Sequence, residues 1–157
     1  MKKILNNISL VISTVFGIGY FPKVPGTFAS LIVALFYFLV PVNLSKIENP
    51  GIFAVLILVF SIISIYLMTL AESILGNDNQ HIVLDEVWGY FVTILLLPKI
   101  IPVIAFGFIL FRIYDILKPF PINKLQNMKG GFGIISDDLL AGVYANISLR
   151  ILLKTVF

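Results

Sequence analysis

IFAVLILVFSIISIYLMTLA, residues 52–71, runs without a single charged side chain. At 1.5 Å per residue, a helix of about twenty residues covers roughly 30 Å, the thickness of a bilayer's hydrocarbon core. This stretch reads as membrane-spanning and sets the fold class: all-α, a small helical membrane protein. The rest of the chain agrees. Apolar residues make up 59% and charged residues 12%, about half the charge of an ordinary soluble domain. So few charged side chains cannot cover the surface of a protein of 157 residues in water, and lipid must replace water over much of it. The length and even composition point to a single domain, 1–157.

Outward from that segment, Pro, Gly and Asn punctuation divides the chain into about six helices. The first runs from about Ile4 to Phe16 and stops at Gly17-Ile18-Gly19. Thr27 caps a second from Phe28 to Val40, closed by Pro41. The spanning segment ends at Gly76-Asn77-Asp78-Asn79. Two more cover about Ile82–Leu97 and Val103–Leu117, and the last runs from Ser136 to about Lys154. Helices of 12–15 residues are short for a full crossing, so some are expected to dip into one leaflet. Asn6, Asn7, Ser9 and Ser13 interrupt the first apolar run, which does not read as a signal peptide and is expected to be retained.

The short Pro98–Pro102 joint makes the fourth and fifth segments a hairpin, bringing Asp85-Glu86 level with Arg112 and Asp115. Continued alternation gathers Gly17–Thr27, Ala71–Glu86 and Arg112–Asp138 on one side of the bundle. Seven of the eight acidic residues fall there, and only Glu48 lies opposite. A polar site at one end of the bundle is the expectation.

Several function classes drop out. The net charge is +3, but no basic track interleaved with aromatics suits nucleic acid. Without cysteine there is no disulfide, thiolate nucleophile or sulfur-bound metal. No obligate protein partner is evident. Lysines and arginines number five on the acidic side and six on the other, so the positive-inside rule gives no orientation.

Buried carboxylates beside oily segments must be paired, protonated or bound to a cation. Asp85, Glu86, Asp137 and Asp138 have no neighbouring base in sequence, and an all-oxygen set suits Mg²⁺, with Mn²⁺ possible. Capping of the last helix behind Ser136 is a second reading for Asp137-Asp138. Asp115 lies three residues from both Arg112 and Lys118, so a structural ion network is as good a reading there. Two Gly-containing loops ahead of helices, Lys23–Thr27 and Lys129–Gly133, suit an anion. Lys23, Thr27, Arg112, Lys118 and Lys129 are therefore the candidate phosphate-binding residues. His81 reads as a capping or surface residue, Trp88 as core or lipid contact, and Glu72 as a helix-end residue facing polar surroundings.

One histidine cannot supply a phosphohistidine mechanism with a second histidine assisting, and the Asp-x-Asp-x-Thr phosphatase stretch is absent. The long Asp-Gly array of phosphatidyltransferases is absent too. Direct attack of a metal-activated water on phosphorus remains, with a carboxylate taking the proton.

Four blocks resemble a family, bacterial phosphatidylglycerophosphatase A. They are Gly17-Ile18-Gly19 with Pro22, Pro25-Gly26-Thr27 and Ser30; Ile82–Glu86 with Gly89; Phe111-Arg112 with Asp115 and Lys118–Ile122; and Lys129–Ile134 with Asp137-Asp138, Ala141-Gly142 and Tyr144. The blocks keep the family's order and spread over most of the chain. The resemblance implies Mg²⁺-dependent hydrolysis of phosphatidylglycerophosphate to phosphatidylglycerol and phosphate, an enzyme of phospholipid biosynthesis in the bacterial cytoplasmic (inner) membrane, multi-pass. It also implies a phospholipid substrate, and Asp85, Glu86, Asp115, Asp137 and Asp138 as the acidic catalytic residues. Ala29 stands where the family more often has glycine, and Asn79 departs from its usual loop. The competing reading is a non-catalytic membrane protein, an ion-binding or transporter subunit whose carboxylates store cations.

Overall fold

The computed structural model describes residues 2–76, 79–125 and 128–156. Among these, every regular element is helical. The helices are α1 (Lys2–Ser13), α2 (Pro25–Leu39), α3 (Pro50–Leu75), α4 (Leu84–Ile94), α5 (Ile101–Leu117), α6 (Ile122–Leu125) and α7 (Gly131–Val156). The six expected segments are present, and the one-turn α6 is added between the last two. Asp78, counted with the acidic side, lies outside the described residues.

α7 forms the axis and packs against α3, α4, α5 and α6, while α1 lies on α3 and α2 covers α4 and α5. The closest packing is between α4 and α7, and small residues make it possible. A methyl on Gly142 would lie 2.2 Å from the Gly89 carbonyl oxygen, and one on Gly89 would meet Phe111 at 2.4 Å. Without those side chains the two backbones approach closely, a common device where helices meet in membranes. Tyr90, Phe111, Ile122, Ala141 and Ala145 fill the core beside this crossing.

α3 is 26 residues long, about 39 Å, and its apolar stretch Gly51–Leu75 meets the length and composition of a membrane crossing. It is the one such helix among the described residues. Its first turns look outward, with Ile52 61% exposed and Leu58 60%, whereas Leu67, Met68 and Ala71 further along are buried.

Several helix boundaries differ from the sequence reading, and two of the differences have tertiary causes. α4 ends at Ile94, not Leu97, because α7 supplies the cap. Asn146 Nδ2 donates to the carbonyls of Val92, Thr93 and Leu95 at 2.9–3.1 Å, and Arg150 reaches Leu95 and Leu96. α7 begins five residues before Ser136, where the Gly131 N–H donates to Thr69 Oγ1 at 2.9 Å. Asp137 and Asp138 therefore sit in its second turn, and the capping role behind Ser136 is overturned. Similarly, α2 starts at Pro25 with Val24 at its cap position, so Thr27 lies inside the first turn and caps nothing. At the far end, the Lys99 ammonium donates to the Val40 carbonyl and lies 4.9 Å from the centre of the Tyr37 ring.

Candidate active site

The loops at the near end are tied to one another before any chemistry begins. The Val83 N–H donates to the Ser13 carbonyl at 2.9 Å, closing the end of α1 onto the start of α4. His81 Nδ1–H donates to the Gly19 carbonyl at 2.8 Å, and its ring stacks on Tyr20. The lone histidine is thus a half-buried staple between two loops, neither the cap nor the surface residue expected beside a helix start.

Inside this frame lies a cavity of about 500 Å³. α4 contributes Asp85 and Glu86 from its first turn, α7 Asp137 and Asp138, and α5 Arg112 and Asp115 with Lys118 just past its end. The first turn of α2 closes one wall. A methyl on Gly26 would lie 1.8 Å from Glu86 Oε1, so only glycine lets α2 stand this near the carboxylate. The partial positive charge at the start of α2 favours that anion.

Asp85, Glu86 and Asp138 each offer an oxygen to one point, all within 4.8 Å of one another. Asp138 is 3% exposed. One sealed oxygen on each (Asp85 Oδ1, Glu86 Oε2, Asp138 Oδ2) has no hydrogen-bond partner among the described residues. Burial, then the charges of Glu86 and Asp138, push the Asp85 carboxyl well above the usual carboxylate range. Burial, then Asp115 and Glu86, do the same to Asp138. Glu86 is raised as well, chiefly by burial. Three acids facing one point with oxygens unsatisfied form a donor set that a hard divalent cation fits.

The two remaining acids are paired. Asp115 takes the Arg112 guanidinium at 2.5 Å, and Asp137 takes Lys118 Nζ at 2.6 Å. Lys118 therefore leaves the Arg112–Asp115–Lys118 network open to it in sequence and reaches across to α7. Burial pulls its ammonium down, but the hydrogen bond and charge of Asp137 outweigh that, and the net shift is upward. Asp137, expected with the ligands, is turned to this lysine; burial raises its carboxyl, and Lys118 only partly offsets it. Asp137 Oδ1 and Arg112 Nε remain buried without partners among the described residues.

Of the candidate phosphate-binding residues, Arg112 and Lys118 line the cavity, whereas Lys23, Thr27 and Lys129 do not. Lys23 and Lys129 are exposed on its rim. The sequence reading missed two polar lining residues, Asn79 and Gln80, while Glu72, read as a helix-end residue facing polar surroundings, lines the cavity with them. Glu72 alone had a signal, as an acid at the end of the oily α3.

Buried acids converging opposite paired bases, at one end of an oily helical bundle, make a cavity whose chemistry suits a phosphate group beside a cation. The model of the phosphatidylglycerophosphatase A family matches residues 11–153. A Haemophilus influenzae phosphatidylglycerophosphatase A is 36% identical over 152 residues, covering 94% of this chain and 90% of the relative. The Escherichia coli phosphatidylglycerophosphatase A is 35% identical over 131 residues, 82% of this chain and 73% of the relative. A Bacteroides thetaiotaomicron protein provisionally named phosphatidylinositol-3-phosphatase is 35% identical over 151 residues, 92% of each chain. No solved structure matches. The chain belongs to the phosphatidylglycerophosphatase A family and is a phosphatase, so the reading as a non-catalytic ion-binding subunit falls away.

Proposed function

We propose that this enzyme removes the terminal phosphate of phosphatidylglycerophosphate, giving phosphatidylglycerol and inorganic phosphate at a bacterial cytoplasmic membrane crossed by α3. The observation that carries the reading is the convergence of Asp85, Glu86 and Asp138 in a cavity whose other wall is Arg112 and Lys118. An acidic trio alone would repel a phosphate, and a basic pair alone would only bind one. Together they suit a phosphomonoester bridged to a cation.

Asp85, Glu86 and Asp138 would hold Mg²⁺ or Mn²⁺, which supplies polarisation of a phosphoryl oxygen and acidification of a water. The chain's own groups do the rest. Arg112 and Lys118 hold the non-bridging oxygens, each steadied by its carboxylate partner. Asp137, with Oδ1 free of partners, takes the proton as the water oxygen bonds to phosphorus. The bond between phosphorus and the glycerol oxygen breaks, and that oxygen takes the proton from Asp137, which returns to its carboxylate.

A second headgroup is supported by the name of the Bacteroides relative, phosphatidylinositol 3-phosphate. Both lipids present a phosphomonoester on a polyol, so one assay separates them. Phosphate release is measured from each lipid in detergent micelles, with and without EDTA. We expect faster release from phosphatidylglycerophosphate, abolished by chelation and restored by Mg²⁺. Release that survives complete chelation removes the cation, and a preference for the inositol lipid exchanges the substrate.

A further inference from the structure

We propose that the mouth of the acid cavity docks onto a layer of anionic lipid headgroups, drawn by two lysines that bracket the opening and seated by the apolar side chains beside them. The inference rests on the reading above that the substrate phosphate belongs to a membrane lipid. Val24 and Met128 line the cavity from two different loops, those ahead of α2 and α7, yet they are 61% and 46% exposed. Each has an exposed lysine as its chain neighbour, Lys23 and Lys129, outside the lining. Neither lysine has an ion pair among the described residues. Phe21 and Phe132 stand exposed next to these pairs.

The backbone holds this arrangement against its own preference. Lys23 and Val24 lie at φ of 65° and 47°, a left-handed conformation that a β-branched residue rarely adopts. Such strain persists only where the surroundings over-determine it, and here it keeps a valine turned out over an opening. Charge selects the partner. Among the described residues, Glu48 is the one exposed carboxylate, and it lies at the far end, so the exposed charges described beside the mouth are those of lysines, although its interior is acidic. Aromatic side chains favour the headgroup level of a bilayer. A lysine beside an anionic leaflet is worth about fivefold in occupancy. Lys23 and Lys129, which the cavity does not use, thereby gain a role: they raise the local concentration of an anionic substrate at the opening.

The absence of native cysteine makes the test clean. Phe21→Cys and Phe132→Cys, each labelled with an environment-sensitive dye, are placed in bilayer nanodiscs carrying a nitroxide lipid at headgroup depth. We expect quenching that strengthens when phosphatidylglycerol replaces phosphatidylcholine. Adding Lys23→Gln and Lys129→Gln should remove that dependence on lipid charge. Quenching that is absent, or that ignores lipid charge, overturns the inference. The labels report position whether or not the enzyme turns over a given lipid, so failure of the substrate assignment is seen separately, in the phosphate-release assay.

Discussion

At the scale of single residues, the site is an arrangement of charges that cannot be left alone. Asp85 and Asp138 keep sealed oxygens and form no ion pair among the described residues, whereas Asp115 and Asp137 are each paired with a base, Asp137 through one oxygen only. The two kinds of acid should respond differently to removal of a charge. Asp85→Asn and Asp138→Asn should each lower phosphate release by about 10²–10³-fold or more, the scale set by losing one charge-positioning group. Helical content measured by circular dichroism should be unchanged, because an amide fits the same space with less repulsion. Near-normal rates in both variants would remove the trio from the chemistry. The acids themselves were legible in the sequence, since carboxylates at the ends of oily helices demand an explanation. The partner of Asp137 was not. Lys118 lies nineteen residues away and meets it only because α5 and α7 pack side by side.

At the scale of elements, helices were legible and their ends were not. Apolar runs and prolines reveal where a helix can exist. Its last turn, however, depends on who takes the free carbonyls, and for α4 that is Asn146 and Arg150 from another helix. The start of α7 depends in the same way on Thr69 of α3. The α4–α7 crossing makes a prediction of its own. Gly142→Ala puts a methyl 2.2 Å from the Gly89 carbonyl, so the helices must separate, at a cost of about 1–3 kcal/mol. Thermal unfolding in detergent should fall accordingly. Gly51→Ala, whose methyl meets nothing closer than Asn49 Oδ1 at 3.6 Å, should leave the transition unchanged. Equal shifts in the two variants would mean that the crossing is not tight.

At the scale of the whole molecule, charge couples folding to pH and to cation binding. The Asp85 and Asp138 carboxyls, on α4 and α7 and outside the apolar α3, are raised in the folded chain by burial first and by like charge second. Above about pH 4, the ordinary carboxylate value, the folded chain therefore holds more protons than the unfolded one. Its stability without metal is greatest at the acid end and declines as pH climbs through the raised values. We expect the melting temperature in EDTA to fall with rising pH, and Mg²⁺ to restore it most at the alkaline end, where protons no longer compete. A melting temperature in EDTA that rises over the same range would contradict that sign. The lengths of the helices carry a last consequence. α4 reaches only about 16 Å and α5 about 25 Å, each short of a hydrocarbon layer of roughly 30 Å, so in a bilayer whose face met the acid end the Pro98–Pro102 bend would stop inside the oil. Lys99 travels there with its own solvation, a carbonyl and an aromatic face taken from the end of α2. A hairpin that carries its counter-groups inward has no need to break through to the opposite aqueous side.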